Sequence, residues 1–242
     1  MSNDLTTKIL HFLEKPGFIN RLGFRLWKAS YQLRERLIPS WRRARMLDQN
    51  FDDRYGLETG DWINLGELKV SGENVQFGTH YEAITLSLFR ETIAHIPESL
   101  DDFLFIDFGS GKGRALLLAA EHPFRTIIGL EFSSELHKIA QRNIERYKIS
   151  TNSTRDIESV CIEATAYQIP NEKSVCYFFN PFNEVVLAKV LGNIQKSIVE
   201  HPRTVYISYC NPIHIGVFNE FAFDKIAAGD KFALFKSRQS MV

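Results

Sequence analysis

From residue 103 onward, short runs of consecutive apolar residues alternate with segments of helical periodicity. Strands that are apolar on consecutive positions are covered on both faces, as in a parallel sheet flanked by helices. Helices are predicted between them at about 112–121, 134–147 and 184–199. The predicted strands are FLFID (103–107), TIIGLEF (126–132), VCIEA (160–164), VCYFFNPF (175–182) and TVYISYCNP (204–212). This alternation predicts a doubly wound α/β domain with a mostly parallel sheet.

The last apolar runs of the chain predict a different pairing. Gly229 and Asp230 separate the run FDKIAA from the run KFALFKSR. A short Gly-containing break between two apolar runs is typical of a β-hairpin. We therefore expect an antiparallel hairpin at one edge of the otherwise parallel sheet.

Composition excludes several classes of protein. The 242 residues are 44% hydrophobic and carry 29 basic against 29 acidic side chains, which excludes a disordered or collagen-like chain. No stretch approaches the ~18–20 apolar residues of an integral membrane span. The first 18 residues hold two acids and no apolar h-region, so no secretory signal is expected. Cys161, Cys176 and Cys210 lack metal-ligand spacing, and we interpret them as reduced core residues of a cytoplasmic protein without a metal site.

The charge is distributed unevenly along the chain. Residues 1–50 carry ten Lys/Arg against four Asp/Glu, and the remainder is mildly acidic. We predict a basic helical N-terminal extension (1–50), an irregular lead-in and a helix (51–100), and the main domain (101–242). The front helix is bounded by Pro16-Gly17 and by Pro39, and Ser40 is expected to cap a second short helix through residue 45. The helix before the sheet is expected at about 81–96, ending at Pro97.

The basic extension leaves three interpretations open. Residues 18–45 could bind nucleic-acid phosphates, although no recognised RNA-binding motif is present. Residues 18–38 could instead lie on a membrane surface, with an apolar face in the lipid and Arg/Lys facing its phosphates. The third interpretation is a helix that packs on the main domain and exposes its basic face to solvent.

A glycine-rich loop follows the first predicted strand. The segment FIDFGSGKGR (105–114) places Gly109, Gly111 and Gly113 where an open α/β sheet binds ligands. The dinucleotide pattern G-x-G-x-x-G fails because residue 114 is arginine, and the P-loop pattern is absent. The pattern Asp-x-Gly-x-Gly-x-Gly instead resembles motif I of the class I S-adenosylmethionine-dependent methyltransferases. A turn without a ligand is the remaining alternative.

Two acids accompany this loop. Glu131 ends the second predicted strand, 18 residues beyond Gly113, where an acid can accept both hydrogen bonds of a ribose diol. Asp107 suits a cofactor whose sulfonium and ammonium outweigh its carboxylate, whereas a diphosphate would favour basic residues. The resemblance implies a Rossmann-like methyltransferase sheet that binds S-adenosyl-L-methionine, with Glu163 and Ala164 near the adenine. The expected cofactor contacts are Asp107, Gly109, Ser110, Gly111, Gly113, Glu131, Phe132, Glu163 and Ala164.

The ends of the last two parallel strands carry the candidate catalytic residues. Asn180-Pro181-Phe182 resembles the Asn/Asp-Pro-Pro-aromatic motif of methyltransferases that act on amines and amides, without its second proline. In that motif the Asn carbonyl orients the nucleophilic nitrogen and the aromatic ring packs on the substrate. A simple strand-ending turn is the alternative. A second Asn-Pro pair, at 211–212, precedes His214, a candidate base for an oxygen nucleophile.

A basic or irregular lead-in followed by FIDFGSGKGR and GLEFS is similar to bacterial class I methyltransferases of unassigned substrate, and more distantly to Dot1-like protein-lysine methyltransferases. The resemblance covers roughly residues 100–242. The resemblance implies methyl transfer to a nitrogen of a protein or small molecule. The alternative is an RNA methyltransferase, or an RNA-binding protein that uses the basic extension. Tyr55, Thr79 and Tyr81 precede the sheet where many methyltransferases fold a lid over the cofactor.

Overall fold

The structure is a computed structural model that describes residues 29–30, 37–60, 63 and 81–238. Most of the predicted front helix lies outside the described residues, and so does Thr79. Of the residues interpreted as a nucleic-acid contact (18–45) or a membrane contact (18–38), those at 18–28 and 31–36 also lie outside the described residues. None of the described helices is long and apolar enough to cross a membrane.

The described residues form one seven-stranded sheet in the order β3-β2-β1-β4-β5-β7-β6. The strands are β1 Leu104–Phe108, β2 Thr126–Glu131, β3 Asp156–Cys161, β4 Ser174–Phe179, β5 Val205–Cys210, β6 Phe223–Ala228 and β7 Phe232–Ser237. Strands β1 to β5 pair in parallel, and β7 pairs antiparallel with both β5 and β6. The predicted doubly wound, Rossmann-like sheet with an antiparallel edge hairpin is therefore confirmed.

Helices cover both faces of the sheet. They are α1 Pro39–Tyr55, α2 Leu86–Ala94, α3 Arg114–Ala119, α4 Ser134–Thr151 and α5 Glu184–Glu200. Alternate residues of each strand enter two separate apolar clusters, because successive side chains of a strand point to opposite faces. Phe105 and Tyr177 pack in the cluster that includes residues of α1 to α4. Phe178 and Ile207 pack in the cluster that includes residues of α5.

Helix α1 corrects the prediction for the front of the chain. It runs through residue 50, so residues 51–55 are helical rather than irregular. Pro39 begins this helix and Ile38 is its N-cap, so Ser40 is not the cap. Proline suits the first helical position because the N–H that it lacks has no partner there. Burial of Phe51 against Tyr147 favours continuation of the helix, which ends where Gly56 adopts a left-handed conformation.

Several other predicted boundaries are also wrong. The third strand spans Asp156–Cys161 rather than 160–164. It is an edge strand with alternating exposure, so its sequence lacks the continuous apolar pattern by which a central strand is recognised. Exposure of Cys161 contradicts its assignment to the core, whereas Cys176 and Cys210 are buried as predicted. Helix α2 begins only at Leu86, where the Thr85 side chain accepts a hydrogen bond from the Leu88 N–H.

Candidate functional site

The glycine loop joins the carboxyl end of β1 to α3. The N–H groups of Gly109 and Ser110 both donate to the Leu130 carbonyl, each at 2.9 Å, which ties the loop to the end of β2. Gly109, Gly111 and Gly113 have φ angles of +94°, +54° and +87°. Residues that carry a side chain rarely adopt φ angles in this left-handed region, so the conformation of the loop depends on glycine.

Two other segments pack directly on this loop. A Cβ atom at Gly109 would lie 2.5 Å from Cβ of Pro181, and one at Gly111 would lie 2.2 Å from the ring of Tyr81. Both distances are shorter than real contacts, so Pro181 and Tyr81 can pack here only because residues 109 and 111 are glycines. The loop thus brings together the predicted cofactor-binding residues, the Asn-Pro-Phe segment after β4, and the residues that precede the sheet.

Glu131 lies next to the loop at the end of β2. Its Oε2 accepts a hydrogen bond from the Gly111 N–H, and its Oε1 accepts one from the Ser133 N–H, both at 2.8 Å. Burial raises the pKa of Glu131 to about 7, because desolvation of the carboxylate outweighs these backbone hydrogen bonds. A carboxylate has about four lone-pair positions, so its oxygens can still accept donors from a diol. Phe132, the next residue, is half-buried.

Asp107 is the second buried acid of the site. Only 3% of its surface is exposed. Burial, together with the nearby Glu131 carboxylate, raises the pKa of Asp107 well above its usual value. The hydroxyl of Ser110 is also buried, and nothing in the described part of the chain hydrogen-bonds to it. Buried polar groups are normally satisfied, so this combination suits a ligand that brings cationic N–H donors.

The end of β3 lies beside Glu131. The Ile162 N–H donates to the Glu131 carbonyl at 3.0 Å, and Glu163 and Ala164 follow. Glu163 precedes a short 3-10 turn, Ala164–Ala166, and the side chains of Glu163 and Ala164 are half-buried. The structure therefore brings these two residues to the same edge of the sheet as the glycine loop.

The Asn-Pro segments after β4 and β5 are joined through a tyrosine. The Tyr209 hydroxyl donates to Oδ1 of Asn180 at 3.0 Å and accepts from the His214 N–H at 3.2 Å. Asn180 and Asn211 have φ angles of +42° and +48°, which are uncommon for residues other than glycine. His214 is thus connected to Asn180 through its backbone N–H. Positive φ angles like those of Asn180 and Asn211 cluster at functional sites.

Phe182 differs from the expectation for a substrate-binding aromatic residue. Only 9% of its surface is exposed, and it belongs to the apolar cluster under α5. Its ring makes an edge contact with Phe178, at a centroid distance of 6.4 Å. The structure thus places Phe182 in the core, two residues before α5 begins at Glu184.

Two parts of this site were not predicted from the sequence. Tyr209 lies inside a predicted strand, where an aromatic residue is ordinarily a packing residue. In the sequence, Arg114 marks only a departure from the dinucleotide pattern, yet its side chain is buried and donates to Asp52 and Thr59. Its position directly after the last loop glycine was the available signal. Lys112, inside the loop, donates from Nζ to the Gly60 carbonyl at 2.7 Å.

No protein-family model matches the chain, and no curated protein matches it. Among solved structures, it is similar to the methyltransferase domain of bacterial CtHen1-CN, with 17% identity, a TM-score of 0.44, and coverage of 62% of this chain and 98% of that one. It is also similar to an RNA methyltransferase from Salinibacter ruber in complex with S-adenosyl-L-homocysteine. The identity is 15%, the TM-score 0.44, and the coverage 64% of this chain and 92% of that one.

A third similar structure is the magnesium protoporphyrin IX methyltransferase of Synechocystis PCC 6803 with bound S-adenosylmethionine. The identity is 12% and the TM-score 0.45, and the match covers 64% of this chain and 77% of that one. At these identities and TM-scores the likeness does not extend to the activity or the substrate of this chain.

Proposed function

We propose that this chain is an S-adenosylmethionine-dependent methyltransferase that transfers a methyl group to a nitrogen of a protein or small molecule. The observation that carries the proposal is the pair of buried acids, Asp107 and Glu131, at a glycine loop on the carboxyl edge of the sheet. The Asp107 carboxylate would repel a diphosphate-containing cofactor and attract one that carries a sulfonium and an ammonium group, and Glu131 supplies the acceptor for the ribose.

Each predicted contact has a chemical role in this proposal. Glu131 accepts the two hydroxyl donors of the ribose, and Asp107 accepts the ammonium. Glu163 and Ala164, with Phe132, border the adenine. When bound, the cofactor supplies an electrophilic methyl group on its sulfonium. The glycine loop, from Gly109 to Gly113, lets backbone approach the ligand closely, and the Ser110 hydroxyl offers a further hydrogen bond.

Asn180 is our candidate for orienting the acceptor. Pro181 packs on Gly109, which places Asn180 beside the cofactor loop. One lone pair of Asn180 Oδ1 accepts from Tyr209, and the second remains for an acceptor N–H. In-line methyl transfer depends mainly on holding the reacting atoms ~3–3.5 Å apart and aligned, so little acid–base chemistry is needed. If the acceptor is an oxygen, His214 is the candidate base.

The binding experiment for this proposal needs no acceptor. S-adenosylhomocysteine should bind the wild-type chain in isothermal titration calorimetry, and NADH should not. Ligand at about 100 times its dissociation constant stabilises the native state by ~2.7 kcal/mol, which raises the melting temperature by roughly 5–10 °C. Binding of NADH in place of S-adenosylhomocysteine would contradict the proposal.

The acceptor itself can then be sought by transfer of a radiolabelled methyl group into fractionated cell lysate. Label in a protein or small-molecule fraction supports the proposal, and label in RNA supports the alternative. A cytoplasmic setting is part of the proposal, because all three cysteines are free.

An RNA methyltransferase is the second candidate, and one observation favours it. Arg42, Arg43 and Arg45 are exposed on α1, within the basic extension. If they contact phosphates, RNA affinity should fall steeply with salt, and replacing the three arginines with glutamine should reduce that slope. A liposome co-sedimentation with anionic lipid separates RNA binding from a peripheral membrane contact.

A further inference from the structure

Arg114 is the first residue of α3, directly after the last glycine of the loop, and only 4% of its surface is exposed. Its Nη2 lies 3.0 Å from Oδ2 of Asp52, and its Nη1 lies 3.5 Å from Oδ2 of Asp48. Its Nε donates to the Thr59 hydroxyl at 2.6 Å. We refer to Arg114, Asp48, Asp52 and Thr59 as the arginine clamp. The clamp joins helix α1 to the start of α3.

Thr59 connects the clamp to Tyr81. Its hydroxyl donates to Oδ1 of Asp52 at 2.5 Å, and its backbone carbonyl accepts from the Tyr81 hydroxyl at 2.7 Å. The N–H groups of Thr59 and Gly60 both donate to Oδ2 of Asp52, at 3.1 and 2.8 Å. The residues between Asp52 and Gly60 are therefore folded around one carboxylate.

The other end of Tyr81 reaches the cofactor loop. Its ring packs where a Cβ atom of Gly111 would be, and Nζ of Lys112 lies 5.3 Å from the ring centroid. Gly111 is the residue whose N–H bonds to Glu131. A continuous path of contacts thus runs from Arg114 through Thr59 and Tyr81 back to the loop.

This path has the chemistry of a rigid support. A guanidinium is always charged and presents its donors in a fixed plane, so it can hold two carboxylates and a hydroxyl in one arrangement. Because Arg114 is buried, loss of its charge would leave Asp48 and Asp52 without their shared cation. The Thr59 loop would then lose the anchor that fixes the carbonyl to which Tyr81 donates.

We propose that Arg114 is a positioning residue for the cofactor site: acting through Thr59, it holds the Tyr81 ring as a wall over Gly111 and Glu131. The inference rests on the proposed function, because it assigns a cofactor to that site. It implies that cofactor affinity and the docking of residues 48–60 are coupled. The coupling is reciprocal, so the cofactor should also stabilise the docked segment.

The experiment measures S-adenosylhomocysteine affinity by isothermal titration calorimetry in a double-mutant cycle. Arg114→Gln should weaken binding by about 5–20-fold, within the usual range of coupling between sites. Tyr81→Ala removes the wall itself. In the Tyr81→Ala background, Arg114→Gln should change the affinity by less than about twofold, because the residue through which it acts is gone. A structural role unrelated to Tyr81 would give effects that multiply.

Three further variants sharpen the test. Thr59→Val removes the hydroxyl from the clamp, and Tyr81→Phe keeps the ring but removes its anchor to Thr59. Each should weaken binding by about 2–10-fold, the usual effect of one hydrogen bond. Arg90→Gln is the matched control, since Arg90 pairs with Glu121 on the surface, and it should bind as the wild type does. If Arg114→Gln does not fold, Thr59→Val replaces it in the cycle.

Hydrogen exchange provides the reciprocal measurement. The amides of Thr59 and Gly60 should exchange more slowly when S-adenosylhomocysteine is bound to the wild-type chain. Folded Arg114→Gln protein with wild-type affinity, multiplicative effects in the cycle, or tighter binding by Tyr81→Ala would each overturn the inference alone. Absence of binding by the wild type would instead overturn the proposed function on which it rests.

Discussion

The Tyr209 hydroxyl donates a hydrogen bond to Oδ1 of Asn180 at 3.0 Å, across two neighbouring strand ends. The same hydroxyl accepts the His214 N–H, so one side chain fixes both Asn-Pro segments. The Asn180 side chain is therefore oriented by this hydrogen bond as well as by its own backbone. This relationship makes the candidate catalytic residue separable, by mutation, from the residue that aligns it.

Tyr209→Phe should lower the rate of methyl transfer by about fivefold while S-adenosylhomocysteine affinity stays unchanged, because the loss of one aligning hydrogen bond costs about 1 kcal/mol. The measurement is single-turnover transfer at saturating cofactor to the acceptor found in lysate. Tyr206→Phe is the matched control on the same strand, since its hydroxyl bonds to Glu98 instead. Equal losses in both variants would mean that Tyr209 has only a structural role.

Asn180→Ala should reduce turnover by about 10²–10³-fold with little change in cofactor affinity, as when one preorganised polar group is removed from a reacting centre. Asn180→Asp should be milder for an amine acceptor, because a carboxylate also accepts its hydrogen bonds. Asn180→Gly serves as the control, since it accommodates the positive φ angle but lacks the amide. Near-normal turnover in the alanine and glycine variants would shift attention to His214.

The pH dependence of binding and stability should reflect Glu131, whose pKa is raised to about 7. Affinity for S-adenosylhomocysteine should rise with pH up to about 7 and then level off, because only the ionised carboxylate accepts both ribose donors. The stability of the ligand-free chain should change in the opposite direction and fall as the pH rises. The native state holds a proton that the unfolded state releases near pH 4.5, so the free energy of unfolding falls between about 4.5 and 7, by about 3 kcal/mol at most.

Calorimetry and urea unfolding at a series of pH values test both trends. Glu131→Gln should flatten the pH dependence of both the affinity and the free energy of unfolding. The variant should be less stable than the wild type, because glutamine has one side-chain oxygen where Glu131 uses two to accept from Gly111 and Ser133. Asp107, whose pKa is also raised, contributes a residual slope of the same sign. Unchanged slopes in Glu131→Gln would assign the effect to another group.

Gly111→Ala and Gly56→Ala separate backbone strain from packing. Both glycines have positive φ angles, +54° and +66°, so each alanine should cost about 1–2 kcal/mol of backbone strain. A Cβ atom at Gly56 meets nothing within 4 Å, whereas one at Gly111 overlaps the Tyr81 ring. Urea unfolding should therefore show the larger loss for Gly111→Ala, and only that variant should lose S-adenosylhomocysteine binding. Similar behaviour of the two variants would mean that Tyr81 moves aside freely.

The sequence predicted those parts of the site that depend on local backbone chemistry. Three glycines in a strand-to-helix turn and an acid at the next strand end follow from short-range requirements, so Gly111 and Glu131 could be recognised. The contact of Arg114 with Thr59 joins residues 55 positions apart, and no periodicity marks it. The burial of Phe182 could not be predicted for a related reason. Its burial depends on how the segment after β4 packs against α5, which no local pattern encodes.

Exposure of Cys161, at the end of edge strand β3, gives the chain a built-in chemical handle. Cys176 and Cys210 are buried, and burial raises the pKa of the Cys176 thiol to about 12, so neither thiol reacts readily. Cys161 pairs in register with Glu131 and lies two residues before Glu163. A maleimide dye attached to the unmutated protein would consequently report from the proposed adenine side of the site. Ligand titrations could then be followed by fluorescence before any methyl acceptor has been found.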